Sequence, residues 1–265
     1  MSAGGFRPSV PLLENAVKFE RWIVLAALAM VAAFGLIATL HLGDLLMMPT
    51  GWVGSPIVYP VLLFVMWWTM MMAMMLPSAA PAILTYGALR RRYLAQGASV
   101  APLAIFASGY VAIWTGFSAA SVALHLALSP VVSLSMMMAV TSSAIGGGLL
   151  IAAGLYQMSP LKAACLQKCQ TPLFFLAHNW RSGNVGAFRM GLSHGLYCLG
   201  CCWVLMALLF YGGVMELRWI VGLAIYVAAE KLIPAGNWLS RITGLLLVAW
   251  GIWTIYQIAD VRVVF

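Results

Sequence analysis

The sequence predicts an all-α protein, a polytopic transmembrane helical bundle of about seven spans. Its 265 residues are 64% hydrophobic and 8% charged, and the mean hydropathy is +0.99. Soluble domains carry about 25% charged residues, many more than this chain has. The composition therefore excludes an ordinary cytosolic enzyme, a disordered chain and a disulfide-rich secreted scaffold. No stretch is long and polar enough for a separate soluble domain, so residues 1–265 are expected to form a single integral membrane domain.

Seven apolar runs of span length follow one another along the chain. Six of them cover residues 22–40, 101–128, 134–158, 188–214, 219–233 and 239–258. The other, second along the chain, begins near residue 56, continues past residue 75 and ends at the arginines 90–92. In the second run, Pro77 and Pro81 lack the N–H that would bond the carbonyl four residues earlier, so we expect a kink there. The run at 219–233 is short and ends with Glu230 and Lys231, which leaves six spans as the alternative count.

The net charge of +8 is explained by membrane orientation. With seven spans and a cytoplasmic N-terminus, twelve Lys and Arg residues fall on the inner side, and only Arg218 and Arg262 fall on the outer side. Loops that face the cytoplasm are normally enriched in these residues. The inner set is Arg7, Lys18, Arg21, Arg90, Arg91, Arg92, Lys162, Lys168, Arg181, Arg189, Lys231 and Arg241. This bias predicts a cytoplasmic N-terminus and accounts for the charge without a nucleic-acid partner.

The fifth predicted span carries a line of metal-ligand residue types. His194, Cys198 and Cys201 are spaced i, i+4 and i+7, so a helix places them on one face, with Cys202 one row over. Imidazole and thiolate are ligands that Cu(I), zinc and iron–sulfur centres prefer. Each residue alone also suits a structural role, because cysteine is a small apolar filler in membrane helices. The clustering on one face favours a metal site.

The second predicted span is rich in methionine. Met70 with Met74, and Met71 with Met75, repeat at i, i+4. Thioethers bind Cu(I) without deprotonation, so they function as ligands in an apolar environment. Methionine also packs well into irregular gaps, and that is the alternative interpretation. Together with the Cys/His face, these four residues are predicted metal ligands.

Two further groups extend this pattern toward the membrane surfaces. On the inner side, Cys165 and Cys169 have helical spacing and His178 follows them, which is typical of a cytoplasmic relay or of an amphipathic surface helix. The predicted outer group comprises His41, Asp44, Met47, Met48, His125, Met136, Met137, Met138, Met215 and Glu216. Soft ligands outside, in the middle and inside indicate a pathway more than a single structural site.

Three segments carry a family resemblance. MMMAMMLPSAAP (70–81), YQMSPLKAACLQKC (156–169) and MGLSHGLYCLGCCWVLM (190–206) resemble a bacterial family of uncharacterised inner-membrane proteins, described as predicted metal-binding integral membrane proteins. The resemblance covers residues from about 67 to 253. It implies a multi-pass protein of the bacterial inner (cytoplasmic) membrane. The positions that match the family's motifs are those of the methionine run, the 165/169 cysteine pair and the Cys/His face.

The leading hypothesis is a membrane protein that binds a soft transition metal, most plainly Cu(I), and transports or delivers it. Zinc and iron are the alternative ions. The expected partners are the lipid bilayer, the metal ion and a membrane protein or metallochaperone that exchanges it. One alternative is a membrane thiol or metal oxidoreductase, including a metal-centred monooxygenase. Another is a scaffold subunit of a larger membrane complex.

Overall fold

The computed structural model describes residues 10–47, 55–130, 141–233 and 235–263, which form α-helices joined by turns, with no strand among them. The helices are α1 (Val10–Met47), α2 (Val58–Ser78), α3 (Ala80–Ala95), α4 (Leu103–Leu128), α5 (Ser143–Gln157), α6 (Pro160–Gln170), α7 (Pro172–His178), α8 (Gly183–Ala207), α9 (Leu209–Gly212), α10 (Leu217–Leu232) and α11 (Gly236–Val263). The predicted all-α class is confirmed.

Five helical segments of the described chain are long and apolar enough to cross a membrane. They are Leu25–Leu46, Val58–Ser78, Leu103–Leu128, Gly183–Gly212 and Gly236–Gln257. A sixth crossing is available if α5 and α6, which are bent by 63° at their junction, form one broken span. Helix α10, the sixth predicted span, has 16 residues, fewer than the roughly 20 that cross a bilayer without thinning it.

The second predicted span is two helices. Helix α2 ends at Ser78 and α3 begins at Ala80, with Ala79 as the shared cap residue. Pro77 lies in the last turn of α2, and Pro81 lies in the first turn of α3, where its missing N–H costs nothing. The proline pair therefore breaks the helix where the sequence predicts a kink.

The fourth predicted span, residues 134–158, ends where α5 ends, and α6 lies beyond it. Residues 134–140 lie outside the described residues, and α5 begins at Ser143 after a cap in which the Ser142 side chain accepts from the Ile145 N–H. The Ser159 side chain then accepts from the Lys162 N–H and starts α6. Because α6 turns away from α5, it packs against α8 and brings its two cysteines toward the bundle interior.

The main packing pairs are α1 with α2, α4 with α8, and α5 with α11. Helices α4 and α8 approach closely because glycines meet at their crossing. A Cβ on Gly191 would lie 3.1 Å from the Gly109 Cα and would overlap the Phe106 carbonyl, while a Cβ on Gly109 would lie 2.8 Å from the Leu192 nitrogen. Small residues allow such backbone contact between membrane helices. This contact carries Tyr110 of α4 to the face of α8 that bears the cysteines.

A buried ion pair joins α6 to α10. The Lys162 ammonium lies 2.8 and 2.7 Å from the two Glu230 carboxylate oxygens, and both side chains are at most 2% exposed. The carboxylate also accepts from Tyr226, Ser240 and Gln157. Glu230 and Lys162, two of the charges that the sequence places near the membrane surface, are therefore interior groups.

Candidate metal centre

The Cys/His face of α8 is buried. His194, Cys198, Cys201 and Cys202 are all buried in the helical core. The thiols of Cys201 and Cys202 each donate to the Cys198 carbonyl over 3.0 Å, so both sulfurs are directed back along the helix. The Cys198 thiol also interacts with those of Cys201 and Cys202. Three sulfur atoms of α8 thus share one interior region.

Helix α6 adds its cysteines to this region. Cys169 is buried and interacts with the thiols of Cys198 and Cys201. The Cys165 sulfur lies over Gly200, 2.8 Å from the position that a Cβ there would occupy. All five cysteines carry free thiols. We call Cys165, Cys169, Cys198, Cys201 and Cys202, together with Met75, the sulfur cluster.

Met75 brings α2 to the sulfur cluster. Its sulfur lies 4.0 Å from the Cys202 sulfur, although the backbone of α2 packs mainly against α1 and α4. Met70, Met71 and Met74 are buried along the same helix, within the hydrophobic core. Of the four predicted thioether ligands, Met75 is therefore the one placed against a thiol, and the other three extend from it toward the start of α2.

Two residues that contact the sulfur cluster were missed by the sequence analysis. The Lys231 ammonium of α10 lies 3.0 Å from the Cys198 sulfur and donates to the Ser78 hydroxyl over 2.9 Å. The Tyr110 hydroxyl lies 3.0 Å from the same sulfur and donates to the Met75 carbonyl over 2.9 Å. Lysine and tyrosine are not soft ligands, and nothing in the local sequence marks Tyr110. The Lys231 position within an apolar run was the available signal.

His194 sits one helical turn from Cys198, inside a group of aromatic rings. The ring centroids of Phe106, Tyr110 and Phe175 lie 6.3, 5.9 and 5.7 Å from its own. Its Nδ1 is buried and has no hydrogen-bond partner among the described residues. Buried polar atoms are normally paired, so an unpartnered imidazole nitrogen beside thiols is consistent with a site that receives a ligand.

His178 does not join the sulfur cluster. It lies exposed at the end of α7, where its Nδ1 is 3.0 Å from the Phe174 carbonyl oxygen. The two lysines that flank Cys165 and Cys169 in sequence have other partners. Lys162 pairs with Glu230, and Lys168 lies over the Phe174 ring. The three residues predicted as a cytoplasmic relay are thus divided between a cysteine pair at the sulfur cluster and a surface histidine.

Members of the predicted outer group differ in their exposure and in their partners. His41 and Asp44 are exposed, and the Glu216 carboxylate is paired with the exposed Arg218. His125 is buried, with its Nε2 3.3 Å from the Tyr59 hydroxyl. Met48 and residues 136–138 lie outside the described residues, as does the side chain of Met47.

No three His, Cys, Asp or Glu side chains within the described ranges are arranged to hold a metal ion. A metal bound in this geometry would therefore need a thioether ligand, or would be held by fewer than three His, Cys, Asp or Glu side chains. The chemistry of the donors present, thiols with a thioether and an unpartnered imidazole, fits a soft ion of low coordination number better than a tetrahedral zinc site.

Residues 64–254 match the model of a protein family described as "PpoB2: Copper chaperone". The match covers well over half of the chain and includes the sulfur cluster, His194 and Lys231. No curated protein and no solved structure was found to match. The chain belongs to this copper chaperone family.

Proposed function

We propose that this member of the copper chaperone family is a multi-pass protein of the bacterial inner membrane that holds Cu(I) in its sulfur cluster and delivers or transports it. The observation that carries the proposal is the convergence of four buried thiols and the Met75 thioether from three helices, with the half-buried Cys165 beside them. Cuprous ion prefers thiolate and thioether ligands. The family's copper chaperone description points to the same ion.

In the proposed site, Cys198, Cys202 and Met75 are the primary ligands. Cys202 and Met75 already have their sulfurs 4.0 Å apart, less than twice a metal–sulfur bond of about 2.3 Å, so one ion can bind both. Cys169 and Cys201 neighbour Cys198 and supply thiols to which the ion passes when it leaves the primary ligands. Such neighbours suit delivery, because an ion that exchanges one ligand at a time leaves without passing through a bare state, while stable binding still requires the primary ligands.

Met70, Met71, Met74 and His194 are the proposed flanking ligands. The methionines follow α2 from its middle to Met75, a rise of about 1.5 Å per residue. Because thioethers are neutral, they pass a cation along without trapping it. His194 lies one turn before Cys198 on α8, whereas Cys202 lies one turn after it. The unpartnered Nδ1 of His194 offers the next ligand toward the start of α8.

The proposed orientation has seven spans, with α10 as a short crossing and the N-terminus in the cytoplasm. The cluster Arg90–Arg91–Arg92 at the end of α3 then lies on the cytoplasmic side, where such residues are enriched. Reporter fusions at the N-terminus and after residue 97 test this arrangement. Both fusions are expected to be cytoplasmic, and a periplasmic signal from either one contradicts it.

The test of the metal site is elemental analysis of protein purified without chelators and loaded anaerobically with Cu(I). The variants are Cys198→Ser/Cys202→Ser and His194→Ala, and His178→Ala is the matched control because His178 is exposed. We expect near-stoichiometric copper in the wild type and the control, loss in the double variant and weaker retention in His194→Ala.

A wild type that binds no Cu(I), or a double variant that retains it, overturns the proposal. Metal-free protein whose thiols cycle between free and disulfide forms would favour the oxidoreductase alternative. A tightly associated protein complex with no metal would favour the scaffold alternative.

A further inference from the structure

Lys231 places a cation against the sulfur cluster. The residue is 6% exposed, and its ammonium contacts the Cys198 sulfur and the Ser78 hydroxyl. The helices around it present thiols, the Tyr110 hydroxyl and the Met75 thioether, none of which carries a permanent negative charge. An isolated buried charge is costly, so negative charge within the cluster must balance the positive charge of this ammonium.

The nearby carboxylate does not provide that balance. Glu230 precedes Lys231 in the chain, but adjacent residues on a helix point in different directions. Its carboxylate is bound by the Lys162 ammonium at 2.7 Å, and that pair is electrically neutral by itself. The charge of Lys231 is therefore opposed only by what the sulfur cluster holds, among the residues that the structure describes.

The net charge of the loaded cluster then depends on the valence of the ion. Two thiolates with one Cu(I) carry a net charge of −1, and the ammonium brings the assembly to zero. Two thiolates with a divalent ion such as Zn(II) or Cd(II) are neutral, and the ammonium leaves a net charge of +1 in an apolar interior. The second assembly is balanced only if a third thiol of the cluster also loses its proton, so its formation is disfavoured.

We propose that Lys231 is the specificity-determining residue that makes the sulfur cluster prefer monovalent over divalent soft ions. This inference rests on the proposed function, since it assumes that the sulfur cluster holds the metal. The lysine acts as a fixed counter-charge and not as a ligand, because its ammonium has no lone pair.

The test compares binding of Cu(I), Ag(I), Zn(II) and Cd(II) to full-length protein in detergent, by competition under anaerobic conditions. The variants are Lys231→Met and Lys231→Gln, which remove the charge, and Lys231→Arg, which keeps it. Arg218→Met is the control, because that side chain is 90% exposed and pairs with Glu216. The neutral variants are expected to lose on the order of 100-fold of the preference for Ag(I) over Cd(II). Lys231→Arg and the control are expected to retain it.

The outcomes separate the two proposals. A wild type that binds neither Cu(I) nor Ag(I) overturns the proposed function. A wild type that binds both, with the same Ag(I)/Cd(II) ratio in the neutral variants, overturns the role of Lys231 and leaves the site standing. Wild-type protein from which Cd(II) displaces Cu(I) as readily as Ag(I) does also overturns that role, and this measurement needs no variant to fold.

Discussion

The buried pair of Lys162 and Glu230 is expected to determine whether α6 stays docked. Both side chains are at most 2% exposed, and the ammonium reaches both carboxylate oxygens. At an effective dielectric of about 20 and a separation near 2.7 Å, the Coulomb attraction amounts to about 6 kcal/mol before desolvation. Desolvation of both groups offsets much of it, so the pair itself contributes little net stability.

Removal of one partner has a larger effect than removal of both. Glu230→Gln leaves the Lys162 ammonium buried beside a neutral amide, and we expect a loss of about 4 kcal/mol in the free energy of unfolding. Lys162→Met leaves the Glu230 carboxylate with its Tyr226 and Ser240 donors, so the expected loss is smaller, about 3 kcal/mol. The double variant removes both charges and should lose about 1 kcal/mol.

The assay is reversible unfolding in mixed micelles, followed by helical content, with the four proteins of the cycle compared at one detergent composition. Arg218→Gln is the control, because it breaks a comparable contact in which the arginine side chain is 90% exposed. It should cost less than about 1 kcal/mol. Single-variant losses that add up in the double variant would refute the coupling, as would single losses no larger than that of the control.

A second readout connects this pair to the sulfur cluster. Cys169 is buried because α6 docks against α8. If Lys162 and Glu230 hold α6 in place, each single variant should speed the reaction of Cys169 with a maleimide reagent, and the double variant should react at nearly the wild-type rate. An unchanged rate in the single variants would mean that α6 is held by other contacts.

Two further predictions concern helix packing. Gly109→Ala should destabilise the protein by about 3 kcal/mol, because the added carbon meets α8 backbone; Gly116→Ala on the same helix meets nothing within 4 Å, and should be neutral or stabilising in the same thermal melt. Trp68→Phe and Thr115→Val should each cost about 1 kcal/mol, because either one removes the 2.9 Å bond between their side chains. The double variant should cost little more than one of them, and a fully additive loss would contradict the bond.

Composition and apolar runs were sufficient to predict the helical class. The membrane-length segments within α1, α2, α4, α8 and α11 follow from apolar sequence, and the break at Ala79 follows from Pro77 and Pro81. The charged first part of α1, which starts at Val10, lies outside the apolar run predicted at residues 22–40. The 63° bend between α5 and α6 was not predictable, because the cap at Ser159 marks where α6 starts but not the direction in which it leaves α5.

The sulfur cluster was predictable within one helix but not between helices. Helical spacing alone placed His194, Cys198 and Cys201 on one face. The arrival of Cys169 from α6 is a tertiary contact between sequence-distant segments, so no local pattern encodes it. Lys162 and Lys231 were counted with the cytoplasmic charges, and the structure buries both. A positive-inside count cannot separate a loop lysine from an interior one, because it considers only position relative to the spans.

The most direct test of the central claim is X-ray absorption at the copper edge of Cu(I)-loaded protein, compared with Cys198→Ser/Cys202→Ser. A copper ion in the sulfur cluster should give a Cu(I) edge and scattering dominated by sulfur neighbours, and both features should be lost in the variant. A spectrum dominated by nitrogen or oxygen neighbours, unchanged in the variant, would place the copper elsewhere and contradict the account.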